Sequence, residues 1–364
     1  MNILQINLQD GWRGGEQQLS YLILELQKKG IRQTLVCKKH SPLEKFAKEN
    51  SIDYISLELG LFSFIPNVKK FSEWVKKNNV DILHCNESKG LGIAVWSKIL
   101  FKIKAKLLLH RHVIFPVKGF ISKNIKYSPK YIDKVICVSS QGEKVIRTTT
   151  YNTNISVIPT MTDVRFDYKN EGILEQFGID LSKKIIGYIA ALTFEKDHYT
   201  FLQAAEKICK SHNNIHFIIV GSGKLETKLK EYADSLNLAE NVSFLGFVPQ
   251  ANRLIPEIDV MLFTSTQEGF PTTIIDSFIA KKPVVCTNYP GSSDIIIPDV
   301  TGFLCEIKNS DCLAAKTIAL IQNPDLSEKI TQEAYQVAIA NFSIESVSDK
   351  IYAMYREIIK DSKS

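Results

Sequence analysis

Ser265-Thr-Gln-Glu-Gly-Phe-Pro-Thr-Thr-Ile-Ile-Asp-Ser-Phe-Ile-Ala-Lys-Lys-Pro283 is the stretch from which the fold of this chain is read. It follows Val260–Phe263, an apolar run short enough to be a buried strand. Gly269 frees the backbone where that strand ends, Pro271 suits the first turn of a helix, and Ile274, Ile275, Phe278 and Ile279 recur at helical spacing. A helix N-terminus is therefore predicted to face out of a strand end, where its unpaired N–H groups and positive dipole favour a phosphate or other anion. Glu268 precedes that helix and Asp276 lies two turns along it. Carboxylates accept hydrogen bonds from hydroxyls, so the pair suits a ligand that is phosphorylated and rich in hydroxyls, as a sugar nucleotide is. The alternative is that both acids are solvated charges on a surface helix.

Outward from this stretch the same pattern repeats. Apolar runs at 3–8, 33–37, 54–57, 82–85, 106–110, 135–138 and 156–158 alternate with amphipathic helical segments. After Pro159 the series restarts at 185–190, 216–220, 242–245, 260–263 and 284–287. Strands alternating with helices imply βαβ units, parallel sheets and two doubly wound domains in tandem, with a boundary near 159–172. The last helical segment, 344–359, is amphipathic.

A chain of 364 residues suffices for two domains of ordinary size, and 45% hydrophobic residues is the content of a soluble globular protein. No apolar run approaches the roughly 20 residues of a membrane span. Asn2-Ile-Leu-Gln-Ile-Asn-Leu reads as a first strand and not as a signal peptide, which points to a cytoplasmic protein. Seven scattered cysteines without a Cys-x-x-Cys pair predict reduced thiols that fill the core.

The net charge of +6 divides unevenly: residues 1–160 hold 25 Lys and Arg against 12 Asp and Glu. Ten of the basic residues fall in 98–134, among them Lys102, Lys104, Arg111, Lys118 and Lys123, interleaved with Phe115, Phe120 and Ile121. Such a surface suits an anionic membrane or a phosphorylated lipid-linked glycan. No helix-turn-helix, zinc or RRM signature accompanies it, so no nucleic-acid partner is expected. The alternative is a plain solvated face spelled in lysine.

Glu268-Gly-Phe-Pro, the acid at 276, Lys282-Pro-Val-Val-Cys-Thr, Pro290-Gly-Ser-Ser-Asp-Ile-Ile and Thr301-Gly-Phe-Leu resemble the nucleotide-sugar signature of family-4 retaining glycosyltransferases. The resemblance implies a GT-B fold, with two Rossmann-like doubly wound α/β domains facing a central cleft. It implies an acceptor domain over 1–165, a nucleotide-sugar domain over 166–342, and a terminal helix, 343–364, that crosses back to the first. It also implies roles. Glu268 orients the donor sugar and Asp276, standing where the family has a second glutamate, holds the ribose. Lys196 grips the diphosphate, while Ala191 replaces the family's arginine. Gly269, Phe270, Pro271 and Thr272 lie at the donor phosphates, and Gly221, Phe247 and Val248 line the nucleobase pocket. Gly14, Gly15 and Glu16, in the turn after the first strand, lie over donor phosphates and acceptor. His112, with His110 as the lesser candidate, contacts the donor sugar. The charge pattern, in turn, assigns Arg111, Lys102, Lys104, Lys118 and Lys123 to the acceptor or the membrane.

No Walker lysine motif and no G-x-G-x-x-G occurs, which argues against ATPase and dehydrogenase readings. With no Asp-x-Asp where the diphosphate would lie, neither metal nor cofactor is expected beyond the nucleotide-sugar substrate, for which the UDP form is the expectation. Two other readings stay open: a GT-B-fold sugar-nucleotide epimerase and a non-catalytic sugar-nucleotide binding protein.

Overall fold

The computed structural model of the chain describes residues 1–58, 60 and 63–360. Its first sheet comprises β1 (Asn2–Asn7), β2 (Arg32–Lys38), β3 (Tyr54–Leu57), β4 (Ile82–Cys85), β5 (Lys106–Arg111), β6 (Lys134–Cys137) and β7 (Ile155–Val157). The order is β3-β2-β1-β4-β5-β6-β7, with every pairing parallel. The second sheet comprises β8 (Lys184–Ile189), β9 (Ile215–Val220), β10 (Val242–Gly246), β11 (Val260–Phe263), β12 (Val284–Thr287) and β13 (Phe303–Cys305). It is parallel too, in the order β10-β9-β8-β11-β12-β13. The strands are rich in apolar residues because helices cover both faces of a parallel sheet. In each sheet the chain winds outward from one strand and then returns to its other side, between β1 and β4 and between β8 and β11. Ligands of open α/β sheets collect beyond the strand ends at such reversals.

The chain divides into two compact units, Met1–Met161 together with the segment that starts at Ile344, and Thr162–Ser343. In the first unit the helix Ile344–Lys360 lays Val347, Ile351 and Tyr355 against Leu22 and Leu26 of the helix Gly14–Lys28 and against Ile3, Ile82 and Leu108 of the sheet. In the second unit Thr162 donates its N–H to the Phe342 carbonyl at 2.7 Å and bridges Ser343, so the unit begins and ends at one place.

Two features differ from the sequence reading. β13 is not anticipated, because a three-residue strand pairing with β12 alone is too short to carry a periodic signal. The expectation of reduced thiols is corrected at one pair: Cys305 ends β13, Cys312 stands in the first turn of the helix Ser310–Gln322, and the two form a disulfide across a Cα separation of 5.8 Å. The tight turn between strand and helix brings the two side chains together from seven residues apart. The other five cysteines are free, and Cys37, Cys85, Cys137 and Cys286 are buried.

Candidate active site

In the second unit the residues picked from the sequence converge at the β8–β11 reversal. The loop after β8 carries Lys196 and the loop after β11 carries Glu268, and Lys196 Nζ lies 2.5 Å from Glu268 Oε2. Both side chains are largely enclosed, at 20% and 15% exposure. The other carboxylate oxygen, Oε1, accepts from Ser265 Oγ at 2.5 Å and from the Tyr289 hydroxyl at 3.2 Å. Tyr188, buried in β8, donates to the Lys196 carbonyl at 2.9 Å and has Ser265 Oγ at 2.7 Å. Thr264 and Thr266 bond to the carbonyls of Asp197 and Glu195, which ties the two loops together. Gly291 permits this packing, since a Cβ there would stand 2.7 Å from the Glu268 carbonyl oxygen. Lys196 and Glu268 are therefore positioned by buried partners and not by loose loops.

The helix after Glu268 spans Thr272–Ile279, with Pro271 as its N-cap residue. Ile274, Ile275, Phe278 and Ile279 are its buried face. Gly269 and Phe270 are half-buried, and Thr272 is exposed at the helix start. Asp276 is half-buried and shares a hydrogen bond with the Tyr168 hydroxyl. Burial pushes its pKa up to about 6 against the opposing pull of that bond. Gly221, at φ +140°, packs so closely on the β8 loop that a Cβ would fall 2.1 Å from the Ala190 carbonyl oxygen. Its visible task is thus loop-to-loop packing. Beyond Gly246 the Phe247 ring is 75% exposed, while Val248 packs on the core. An open aromatic face at a strand end suits stacking of a planar ring.

In the first unit the glycine turn after β1 leads into the helix Gly14–Lys28. Gly14 is exposed, and a Cβ on Gly15 would lie 3.8 Å from His112 Cδ2, so the turn and the histidine are neighbours. Glu16 is buried, accepting from Asn7 Nδ2 and from the Arg13 N–H, each at 2.9 Å; its carboxylate organises the turn. Behind His112 stands a ladder of rings. His112 stacks on His110 at 4.2 Å, His110 on His84 at 5.5 Å, and His84 Nδ1 meets the Tyr355 hydroxyl at 2.6 Å. Gln5 donates to the same hydroxyl at 3.3 Å. Burial holds His112 down to about 4 and His84 down to about 3, and His110 lies well below the usual range. All three are neutral imidazoles near pH 7, and His112 Nδ1 and Nε2 are without a hydrogen-bond partner among the described residues.

Not every basic residue of the stretch is free for a surface role. Arg111 is buried, its guanidinium bonded to the Phe115 carbonyl and set over the Tyr127 ring at 5.8 Å; a surface role is corrected to bracing the loop. Lys98 and Lys106 are paired with Asp133. Lys102 and Lys104 precede β5, whereas Lys118 and Lys123 follow it. Near Lys118 and Lys123 the side chains of Phe115, Phe120 and Ile121 are 72%, 79% and 63% exposed.

Two cavities stand out among the described residues. One of about 320 Å³ is lined by Lys184, Asp259, Lys281 and Thr331, at the strand starts of the second sheet and away from Lys196 and Glu268. The other, of about 310 Å³, lies in the first unit beside Leu8 and Lys126. Among the described residues no helix is long and apolar enough to cross a membrane, and no three or more of His, Cys, Asp and Glu are grouped to hold a metal ion.

Sequence reasoning passed over His84, Tyr168, Tyr188, Ser265 and Tyr289. A signal for the first was present. Ile3-Gln5-Asn7, Ile82-His84-Asn86 and Leu108-His110-His112 share one alternation, apolar at the strand start and polar toward its exit, which marks a sheet face that turns hydrophilic at a site.

Comparison with known proteins bears on the family and the fold. The profile described as Glycosyltransferase Family 4 matches residues 12–166, and that described as Glycosyl transferases group 1 matches residues 169–337. The poly(ribitol-phosphate) alpha-N-acetylglucosaminyltransferase of Staphylococcus aureus is 28% identical over 46% of this chain, and the match spans only 34% of that protein's length. The UDP-Gal:alpha-D-GlcNAc-diphosphoundecaprenol alpha-1,3-galactosyltransferase of Escherichia coli is 23% identical over 89% of both chains. The crystal structure of Anabaena HepE in complex with UDP superposes with a TM-score of 0.80 and 19% identity, covering 98% of this chain and 100% of that one.

Proposed function

The chain belongs to the family-4 glycosyltransferases and has their GT-B fold, and from that membership we propose that it moves a sugar from a UDP-sugar to a lipid-linked or other cell-envelope glycan, with retention and without a metal. The observation that carries the reading is the Lys196–Glu268 pair at the reversal of the second sheet, one short loop ahead of the helix Thr272–Ile279. UDP is supported by the ligand of HepE and by the donor named for the E. coli relative, whose acceptor is a lipid diphosphate.

In retaining transfer the nucleotide leaves while the acceptor hydroxyl arrives on the same side, so stabilising the departing diphosphate is the main task. Lys196 supplies a cation for it, and the free N–H groups at the start of Thr272–Ile279 supply a positive dipole. Glu268, fixed by Ser265 and Tyr289, accepts hydrogen bonds from donor hydroxyls; Asp276 does the same for the ribose, and Phe247 stacks on the base. We assign the acceptor to the first unit, where the neutral His112 beside Gly15 offers a ring nitrogen to a sugar hydroxyl. Phe115, Phe120 and Ile121 with Lys118 and Lys123 form a small apolar and basic surface for an anionic membrane face.

The test is incubation of the full chain with a panel of UDP-sugars and a short-chain lipid diphosphate sugar, with chelator present and the product anomer read by NMR. Transfer with retention supports the proposal. Nucleotide release with C2 inversion of the free sugar is the outcome of an epimerase, and binding without turnover is that of a non-catalytic protein.

A further inference from the structure

The reversal of the first sheet, between β1 and β4, has a cavity that the chemistry above does not use. It measures about 310 Å³ and is lined by Leu8 from the end of β1, by Gly92, Ile93 and Trp96 of the helix Ser88–Phe101, by Phe64, and by the side chains of Lys89 and Lys126. That volume is at the small end of ligand pockets, which run from roughly 300 Å³ upward. Leu8 and Ile93 are buried and Trp96 is half-buried, so most of the wall is hydrocarbon or indole.

The two lysines differ in what they already hold. Lys89 Nζ lies 3.2 Å from Asp10 Oδ2, a carboxylate that also pairs with Lys38. Lys126 Nζ bonds to Ser88 Oγ at 2.7 Å, and no carboxylate is within ion-pair distance of it among the described residues. Glu87 acts on it from a distance, but Glu87 accepts from the N–H groups of Leu8, Lys89 and Gly90 as the N-cap of Ser88–Phe101. Burial lowers the Lys126 pKa, as expected of an ammonium that has lost water without gaining an anion. An apolar wall beside an under-satisfied cation has one chemical complement.

We propose that this cavity receives an amphipathic phosphate, with an aliphatic chain or ring against Leu8, Ile93 and Trp96 and the phosphate paired with Lys126 and Lys89. Resting on the glycosyltransferase reading, this is the seat of the acceptor's lipid phosphate. The chain's own residues set the selectivity: neither a bare phosphate nor a bare alcohol satisfies both halves.

Octyl phosphate, kept below its micelle concentration, is titrated into the full chain and followed by indole fluorescence and calorimetry. Saturable binding is expected, with the fluorescence response lost in Trp96→Phe. Octanol and inorganic phosphate should each bind at least about tenfold more weakly, and Lys126→Gln should weaken octyl phosphate by about tenfold, the loss of one charge-assisted bond. Gly92→Leu should abolish binding while the protein stays folded, because a Cβ at Gly92 meets nothing nearer than Lys126 Cε at 3.7 Å and leucine is the better helix former. Equal binding of inorganic phosphate, or unchanged binding in both Lys126→Gln and Gly92→Leu, overturns the proposal, as does the absence of saturable binding. UDP-sugar hydrolysis is measured alongside. Hydrolysis kept in Gly92→Leu with octyl phosphate lost supports the assignment, whereas Gly92-dependent binding in a chain that never turns over a UDP-sugar supports the cavity and sinks the enzymatic reading alone.

Discussion

Lys196 and Glu268 come from loops seventy-two residues apart, and their charged groups stand 2.5 Å from each other with each side chain at least four-fifths covered. A pair so enclosed has its geometry set by neighbours, here Tyr188, Ser265, Thr264 and Tyr289. Removing either partner leaves the other enclosed without its counter-charge. Lys196→Ala and Glu268→Ala should each cut transfer by at least about tenfold. Ser265→Ala, which removes one of the two donors to Glu268 Oε1 and leaves the Lys196 pairing in place, should reduce kcat more than it raises KM. Near-normal transfer in both alanine variants would falsify the assignment of the pair to the donor.

Asp276 couples binding to stability. An aspartate whose folded pKa lies near 6, against 3.8 for a freely solvated one, binds its proton more tightly when folded. Its contribution to stability is therefore greatest below the unfolded value and is lost as pH rises from about 4 through about 6. Near pH 7 the buried charge is a cost, and Asp276→Asn should stabilise the protein by about 1 kcal/mol after discounting for its partial exposure. The same change should weaken UDP, whereas Asp276→Glu should preserve or strengthen it. Melting curves and calorimetry with UDP read the two effects separately; equal UDP affinity in all three proteins would make the acid a structural residue only.

The histidine ladder works in the other direction. Folded pKa values of about 4 for His112 and about 3 for His84 lie below the unfolded value near 6.5, so the unfolded chain takes up protons first. The stability these rings contribute is complete above about pH 6.5 and falls as pH drops through that value toward 4. His84→Phe, which keeps the stacking surface and removes one titrating ring, should make the loss of melting temperature with acid shallower. An unchanged slope would show that these rings do not govern it.

On an anionic membrane each lysine near the surface contributes about 1 kcal/mol. Lys118→Gln with Lys123→Gln should therefore weaken vesicle binding by roughly thirtyfold at low salt, and Phe120→Ser with Ile121→Ser should weaken it further. Lys102→Gln with Lys104→Gln, which precede β5 in the chain, should change it little. Co-sedimentation with and without anionic lipid checks all three pairs, and an equal loss from both lysine pairs would return the basic stretch to a single face.

The alternation of apolar runs and helices made both sheets legible, because a parallel strand covered on two sides is mostly hydrophobic, with polar residues gathering toward its exit. Lys196 and Glu268 were legible for a related reason: each sits at a strand exit, where a loop interrupts an apolar run. What supports them was not. Tyr188 and Tyr289 read as core aromatics, and only the fold shows that one hydroxyl reaches the Lys196 carbonyl and the other Glu268. The basic stretch was legible only in part, because a run of lysine and arginine does not show that Arg111 is buried or that Lys98 and Lys106 are paired with Asp133. Cys305 and Cys312 were missed because their proximity is made by a turn and not by a motif.

Thr162 and Phe342, the first and nearly the last residues of the second unit, share a 2.7 Å hydrogen bond. A segment whose entry and exit coincide is a cassette: it can be cut out or exchanged at a single place without rethreading the strands on either side of it. Chimeras made at Met161/Thr162 and Ser343/Ile344 would place the second unit of one family member within the first unit of another. Under the donor and acceptor assignment proposed above, inheritance through such exchanges would let the two choices diversify independently.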